Sequence, residues 1–234
     1  TPQGLSSVAH LLGSEHHVQP AVLTITQATE MGTLYSIDEI RALCALAHEM
    51  GLLVHMDGAR IPNAVAALGG TTAALRAMTF DAGVDVLTFG GTKCGAVFGE
   101  AVVFARPELA TRAKYIRKQT TQLHSKMRFI SAPWLGLLEN DVWLRNARHG
   151  NAMAQLLHSR IVDVPGVRIM FPTESNAVFA ELPLPAIEAL RARGWKFYTF
   201  IGAGGCRLMC SWDVLPETVE AFAADIRLAC EHAA

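Results

Sequence analysis

The chain has 234 residues, of which 51% are hydrophobic and 18% charged, and its formal net charge is −1 at pH 7. This composition excludes a disordered protein and gives no electrostatic reason to expect binding to nucleic acid or to an anionic membrane. Its apolar runs are too short to span a bilayer, and its five cysteines contain no CxxC pair, so we expect a globular protein in a reducing, cytoplasmic setting.

Short apolar strands alternate with longer helical segments in the first part of the chain. Strands are predicted at residues 21–27, 52–56, 85–89 and 100–104. A capping box formed by Ser36 and Glu39 predicts the start of a helix that runs to about residue 50. Residues 62–78 are predicted to be helical with a division near Gly69 and Gly70, and residues 106–131 to be mainly helical. The alternation predicts an α/β fold with a mostly parallel sheet.

The last third of the chain has a different pattern. A long helix over residues 134–162 is predicted to connect two domains. Short strands are then predicted at residues 167–171, 177–181 and 206–212, and helices at residues 183–193 and 216–231. This pattern predicts a small α/β domain over residues 151–234, packed against a large domain over residues 1–150.

Two loops stand out, because each follows an apolar strand and carries charged side chains. The first is HMDGAR, at residues 55–60, and the second is GGTKCG, at residues 90–95. Ligands bind at the carboxyl ends of the strands in parallel α/β sheets. Glycines on both sides of Lys93 would let the backbone approach a bulky planar ligand. The sequence therefore predicts a ligand site that contains both loops.

Lys93 and Asp57 each allow more than one interpretation. A lysine in a partly desolvated loop can act as a Schiff-base lysine, but Lys93 can equally be an ordinary surface lysine. Asp57 can keep a pyridine nitrogen protonated, or it can cap the helix that follows. A metal site with His55 is a third possibility, but no further ligand has a suitable spacing, so no metal is predicted.

Two arginines are candidates for binding a carboxylate. Arg60 lies in the first loop, and Arg207 lies in the apolar stretch GGCRLMC, where a charge is unexpected unless it is paired. A planar guanidinium can hold a substrate carboxylate with two hydrogen bonds. The alternative for Arg207 is a buried salt bridge to an acidic residue of the protein itself.

Longer motifs resemble a known family. HMDGARIPNAVAALG, DVLTFGGTKCGAVFGEAVV, GGCRLMCSWD and QATEMGTLYSIDEI are similar to segments of the L-threonine aldolases of the low-specificity type, in the β-eliminating lyase family. The resemblance implies the aspartate-aminotransferase-like fold (fold type I) of pyridoxal-phosphate enzymes. It also implies cleavage of L-threonine, L-allo-threonine or related β-hydroxy-α-amino acids such as phenylserine to glycine and an aldehyde.

The resemblance also implies roles for individual residues. Lys93 would carry the pyridoxal phosphate, and Asp57 would pair with its pyridine nitrogen. Arg60 and Arg207 would hold the substrate carboxylate, while Lys118 would approach the cofactor phosphate from a neighbouring subunit. A homodimer or homotetramer with shared active sites is therefore expected. The base for the β-hydroxyl proton is left open among His10, His16, His17 and His124.

The chain departs from the family pattern in two ways. Cys94 follows the lysine where relatives usually have Asn, which would change the orientation of the cofactor or add a reactive thiol. The N-terminal part of the family pattern has no counterpart, so the chain is expected to be part of a longer protein. Two alternatives to the aldolase remain at this point: another pyridoxal-phosphate lyase that catalyses β-elimination, and an inactive fragment.

Overall fold

The computed structural model describes residues 1–233. The chain forms two compact units. The first contains Thr1–Gln27 and Tyr35–Trp143, and the second contains Ala28–Leu34 and the chain from Leu144 onward. None of the helices within the described residues has both the length and the apolar character that a membrane span requires.

The first unit is built on a four-stranded sheet with the order β1-β2-β3-β4. Its strands are β1 (Val22–Thr26), β2 (Leu53–Gly58), β3 (Val86–Gly90) and β4 (Glu100–Phe104). The first three strands are parallel, whereas β4 runs antiparallel to β3. All four strands were predicted from the sequence, and the mostly parallel sheet is confirmed. Because β2 and β3 are parallel neighbours, the loops that follow them start at the same edge of the sheet.

The helices of the first unit begin and end close to the sequence signals. They are α1 (Pro2–Ser6), α2 (Ile37–Glu49), α3 (Ile61–Ala67), α4 (Thr72–Met78), α5 (Ala113–Gln119) and α6 (Arg128–Leu138). The predicted capping box is present, since Ser36 Oγ accepts from Glu39 N at 3.2 Å and Glu39 Oε2 accepts from Ser36 N at 2.8 Å. Gly69 and Gly70, both with positive φ, lie between α3 and α4, as predicted.

The prediction of one continuous helix over residues 134–162 is wrong. The segment forms α6 and a separate helix, α7 (Val142–Ile161), with a break between them. At the break, Asn140 has a φ of 51° and a ψ of 29°, the left-handed conformation that asparagine tolerates better than most residues. Residues 106–131 also contain less helix than predicted, because α5 and the start of α6 are separated by a non-helical segment.

The second unit is built on a four-stranded antiparallel sheet with the order β5-β6-β8-β7. Its strands are β5 (Arg168–Ile169), β6 (Ala177–Glu181), β7 (Tyr198–Ile201) and β8 (Gly205–Met209), and its further helices are α8 (Leu184–Ala192) and α9 (Pro216–Glu231). The sequence prediction missed β7. The core includes Val178 and Ala180 of β6 and Cys206 and Leu208 of β8, together with buried residues of α7, α8 and α9.

A buried carboxylate joins three elements of the first unit at the start of β3. Asp85 is 4% exposed, and its carboxylate accepts hydrogen bonds from Val54 N at 2.9 Å and Arg106 Nη2 at 3.0 Å. His48 Nε2 of α2 lies 2.8 Å from the same carboxylate. Burial by itself would raise the pKa of Asp85, but the bond from Val54 and the His48 and Arg106 side chains outweigh it and hold the pKa below its ordinary value.

Candidate active site

Asp57 and Lys93 are carried by the two loops at the carboxyl edge of the parallel sheet. Asp57 lies at the end of β2, where it is paired in register with Thr88 of β3. Lys93 follows β3 in a short 3-10 turn, Thr92–Cys94, and its side chain is exposed. Successive side chains of a strand point to opposite faces of the sheet. Met56 and Leu87 are buried in the core, and the residues that follow them, Asp57 and Thr88, carry polar side chains.

Two glycines let the loops approach each other closely. A Cβ atom on Gly90 would lie 2.4 Å from the carbonyl oxygen of Ala59, and a Cβ atom on Gly58 would lie 2.6 Å from the carbonyl oxygen of Thr88. Both distances are far shorter than a van der Waals contact. The atoms in question belong to the backbone, which cannot easily move away. The packing of the Asp57 loop against the Lys93 loop therefore requires glycine at both positions.

Replacing Gly90 with alanine should destabilise the first unit by about 2 kcal/mol, because the added methyl group forces the Ala59 backbone away. Gly136→Ala in α6 is the matched control, because nothing lies within 4 Å of the Cβ atom that it would add. Urea unfolding of both variants measures the difference. Equal stability of the two variants would contradict the close packing of the loops.

The carboxylate of Glu100 fastens the start of the Lys93 loop. It accepts hydrogen bonds from Gly91 N at 2.9 Å and from Thr92 N at 3.4 Å. The antiparallel register of β3 and β4 pairs Glu100 with Gly90 and so brings the carboxylate to the turn. Sequence reasoning missed Glu100, and the only signal for it was its position at the start of the strand that follows the glycine-rich loop.

The surroundings of Asp57 argue against its interpretation as the cap of the helix that follows. Its Oδ1 accepts from Ala59 N at 2.9 Å, but the N-cap of α3 is Arg60, and this helix has no side-chain cap. His55 Nε2 lies 2.9 Å from Thr88 Oγ1 and so contacts the neighbouring strand. Within residues 1–233, no three His, Cys, Asp or Glu side chains are grouped as they would be around a metal ion.

The other candidate residues lie in different parts of the chain. Arg60 is 9% exposed, in the same loop as Asp57. Lys118 lies in the last turn of α5 and is exposed. Arg207 lies on β8, in the second unit. The structure therefore groups Asp57, Arg60 and Lys93 on adjoining loops of the first unit, and the other two residues are placed on separate elements.

A cleft of about 1080 Å³ opens in the first unit beside the Lys93 loop. Its lining includes Thr92, Phe98, Glu100, Arg117 and His124. Four histidines were left open as the base by the sequence, and of these His124 lines the same cleft as Thr92 of the Lys93 loop. His10 instead contacts its own segment, since its Nδ1 lies 2.9 Å from the carbonyl oxygen of Ser7.

Cys94 is not the reactive thiol that the sequence allowed. It is buried, and its Sγ lies 3.3 Å from the carbonyl oxygen of Gly90 and 3.4 Å from that of Gly91. Burial and then the charge of Glu100 raise its pKa to about 12. The side chain at this position therefore packs inside the turn and is not a thiolate at neutral pH.

The chemistry of the grouped side chains fits pyridoxal phosphate. An exposed lysine amine can bind an aldehyde carbon, and a carboxylate on the adjacent loop can pair with a protonated ring nitrogen. The close backbone packing at Gly58 and Gly90 provides two loops with a fixed relation, on which these groups can be positioned.

The fold is that of the fold-type I class of pyridoxal-phosphate enzymes. A solved threonine aldolase structure from Leishmania major matches with a TM-score of 0.86 and 28% sequence identity, covering 97% of this chain and 67% of that one. A sphingosine-1-phosphate lyase from Burkholderia pseudomallei matches with a TM-score of 0.72 at 19% identity, over 97% of this chain and 55% of that one, and this likeness concerns the fold alone. The predicted fold class is confirmed.

The chain belongs to the β-eliminating lyase family, whose model matches residues 4–183. A low specificity L-threonine aldolase of a Pseudomonas species is 54% identical over 227 residues, which is 97% of this chain. The protein of the same name from Pseudomonas aeruginosa is 54% identical over 228 residues. The chain spans 65% of the length of each of these relatives. The family resemblance and, with it, the pyridoxal-phosphate cofactor expected from the sequence are confirmed.

Proposed function

We propose that the protein containing this chain is a carbon–carbon lyase that cleaves L-threonine, L-allo-threonine or related β-hydroxy-α-amino acids to glycine and an aldehyde. The observation that carries the proposal is the 54% identity to low specificity L-threonine aldolases over 97% of the chain. The adjoining loops of Lys93 and Asp57 support it, because they supply the amine and the carboxylate that the chemistry needs.

The cofactor would be held mainly by the first unit. Lys93 would bind pyridoxal phosphate covalently through Nζ, and the Asp57 carboxylate would keep a proton on the pyridine nitrogen. Lys118 of a neighbouring subunit would pair with the phosphate, in a homodimer or homotetramer. When bound, pyridoxal phosphate would supply an electron sink for the pair of electrons left at Cα when the Cα–Cβ bond breaks.

The remaining tasks belong to side chains that bind the substrate. The guanidinium groups of Arg60 and Arg207 would each hold the substrate carboxylate and so fix the orientation of the Cα–Cβ bond. A base takes the β-hydroxyl proton as the aldehyde leaves, and Cα gains a proton to give glycine. We place residues 1–150 in the cofactor-binding domain, residues 151–234 in a small C-terminal domain, and the protein in the cytoplasm.

The products test the proposal directly. The whole protein, supplied with pyridoxal phosphate and L-threonine, should release equal amounts of glycine and acetaldehyde. Asp57→Asn should lower kcat by about 10²-fold, since the amide cannot stabilise a protonated ring nitrogen as a carboxylate does. Asp163→Asn, at an exposed position of the second unit, is the matched control. A keto acid with ammonia in place of glycine and acetaldehyde would instead identify a β-eliminating enzyme.

A further inference from the structure

Arg207 lies on the face of the second sheet that points away from the core helices. Its neighbours in the sequence, Cys206 and Leu208, are buried in the core. The side chains of a strand alternate between the two faces, so Arg207 projects from the other one. On that face, the strand register pairs it with Phe179 of β6 and Tyr198 of β7.

Aromatic rings hold the guanidinium of Arg207. Its Cζ lies 4.8 Å from the ring centroid of Phe200 and 5.6 Å from that of Tyr198. The Phe200 ring in turn contacts Phe179, with 5.9 Å between their centroids, and Phe179 is 2% exposed. A guanidinium packed on ring faces keeps its position without needing an acidic partner.

The acidic partner of Arg207 is Glu30, and the contact is loose. Nη1 of Arg207 donates to Oε2 of Glu30 at 3.4 Å, which is longer than the 2.7–2.9 Å typical of a charge-assisted hydrogen bond. The Arg207 side chain is 18% exposed and that of Glu30 is 52% exposed. Nε of Arg207 is buried and has no hydrogen-bond acceptor within residues 1–233. The guanidinium is therefore largely desolvated but only weakly neutralised.

The segment that carries Glu30 is itself well anchored. Ser175 Oγ donates to the carbonyl oxygen of Gly32 at 2.9 Å, and Glu174 Oε2 accepts from Leu34 N at 2.7 Å. Thr29 N donates to the carbonyl oxygen of Thr33 at 2.9 Å. Since the backbone around Glu30 is fixed, Arg207 would be released by rotation of the Glu30 side chain, which is 52% exposed.

From these contacts we infer that Glu30 is an internal competitor of the ligand carboxylate at Arg207. It neutralises the guanidinium while the site is empty of ligand and rotates into solvent when a carboxylate that can form two short hydrogen bonds arrives. This inference rests on the proposed carboxylate-binding role of Arg207 and adds a regulation of that site. Glu30 thereby weakens the binding of carboxylate ligands and keeps the desolvated cation paired in their absence.

Acetate binding to the whole protein, prepared without pyridoxal phosphate, tests the inference without turnover. The probe is the NMR signal of the Arg207 Nε–H group, identified by its loss in Arg207→Lys. Nε is shielded from water, so its proton exchanges slowly enough to be followed. Acetate replaces chloride at constant ionic strength, because screening would otherwise change during the titration.

Glu30→Gln should lower the Kd for acetate about fivefold, the range expected for losing a half-exposed ionic competitor. Glu188→Gln, an exposed substitution on α8 with the same change in net charge, should leave the Kd unchanged. Equal Kd values for both variants and the unsubstituted chain would overturn the inference, as would an Arg207 signal that does not respond to acetate. If the whole protein forms no glycine from threonine but Glu30→Gln tightens acetate binding, the proposed reaction fails and the exchange at Arg207 stands.

Discussion

Replacing Lys93 with alanine is expected to abolish covalent retention of pyridoxal phosphate by the whole protein. Lys93 is the lysine on the loop that packs against the Asp57 loop, so no other amine is in its position. Reduction with borohydride followed by mass spectrometry should find the pyridoxyl group on Lys93 in the native protein and no modified chain in the variant. Aldol cleavage should fall at least about 10³-fold, as it does when an enzyme loses its covalent group.

Lys196→Ala is the matched control for this experiment. Lys196 is an exposed lysine of the second unit, so its replacement removes the same charge as the replacement of Lys93. The control should retain the cofactor and the activity. If borohydride fixed the cofactor equally well to the Lys93→Ala protein, a different lysine would be the attachment point, and the role proposed for Lys93 would be wrong.

The second large effect is expected for stability. Asp85→Asn should destabilise the first unit by about 2 kcal/mol, because it removes the negative charge of a buried carboxylate that accepts hydrogen bonds from Val54 N and from the half-exposed Arg106 side chain. The amide of Val54, which donates to Asp85 Oδ2, should exchange with solvent much faster in the variant. Urea unfolding and hydrogen exchange of Val54 measure the two effects.

The pH dependence of the same group has a definite sign. The pKa of Asp85 is lower in the folded protein than its ordinary value of 3.8. A carboxyl group of this kind stabilises the fold at pH values above its unfolded pKa, and this stabilisation is lost as the pH falls through the folded pKa. The native chain should therefore lose stability more steeply than Asp85→Asn below about pH 4.

Asp81→Asn provides the comparison for both measurements. Asp81 pairs with Arg76 at 2.9 Å, but the two side chains are 47% and 74% exposed, so their ion pair is hydrated. Its loss should cost less than 1 kcal/mol. If the Asp85 variant were as stable as the Asp81 variant, the prediction would be wrong. The free-energy cost of burying the Asp85 carboxylate would then cancel the stabilisation from its hydrogen bonds and ion pair.

The features predicted correctly from the sequence are those that depend on neighbouring residues. The Ser36 capping box and the division of the helix at Gly69 and Gly70 each follow from contacts or backbone angles within one or two turns. The strands β2 and β3 could be predicted because each is a short, mainly apolar run. The parallel-sheet rule then placed the Asp57 and Lys93 loops at one edge.

The features that were missed depend on residues far apart in the chain or on weak local signals. Arg207 and Glu30 are separated by 177 positions, so no spacing rule could pair them, although the sequence did predict an acidic partner as an alternative. Glu100 contacts the Lys93 loop only because β4 is antiparallel to β3. The helix breaks at Asn140, which adopts the left-handed conformation. No glycine or proline marks this position, so the break has only a weak signal in the sequence.

The burial of the cysteines has a practical consequence. All five are buried, and burial raises their pKa values, to about 11 for Cys44 and Cys206 and to about 12 for Cys94 and Cys210. The thiolate is the nucleophile that attacks a maleimide, so the native cysteines remain almost inert towards maleimide dyes at neutral pH while the chain is folded. Cysteines introduced on the surface can therefore be labelled selectively in the natural sequence background. One dye on each compact unit would allow fluorescence energy transfer to follow the distance between the units.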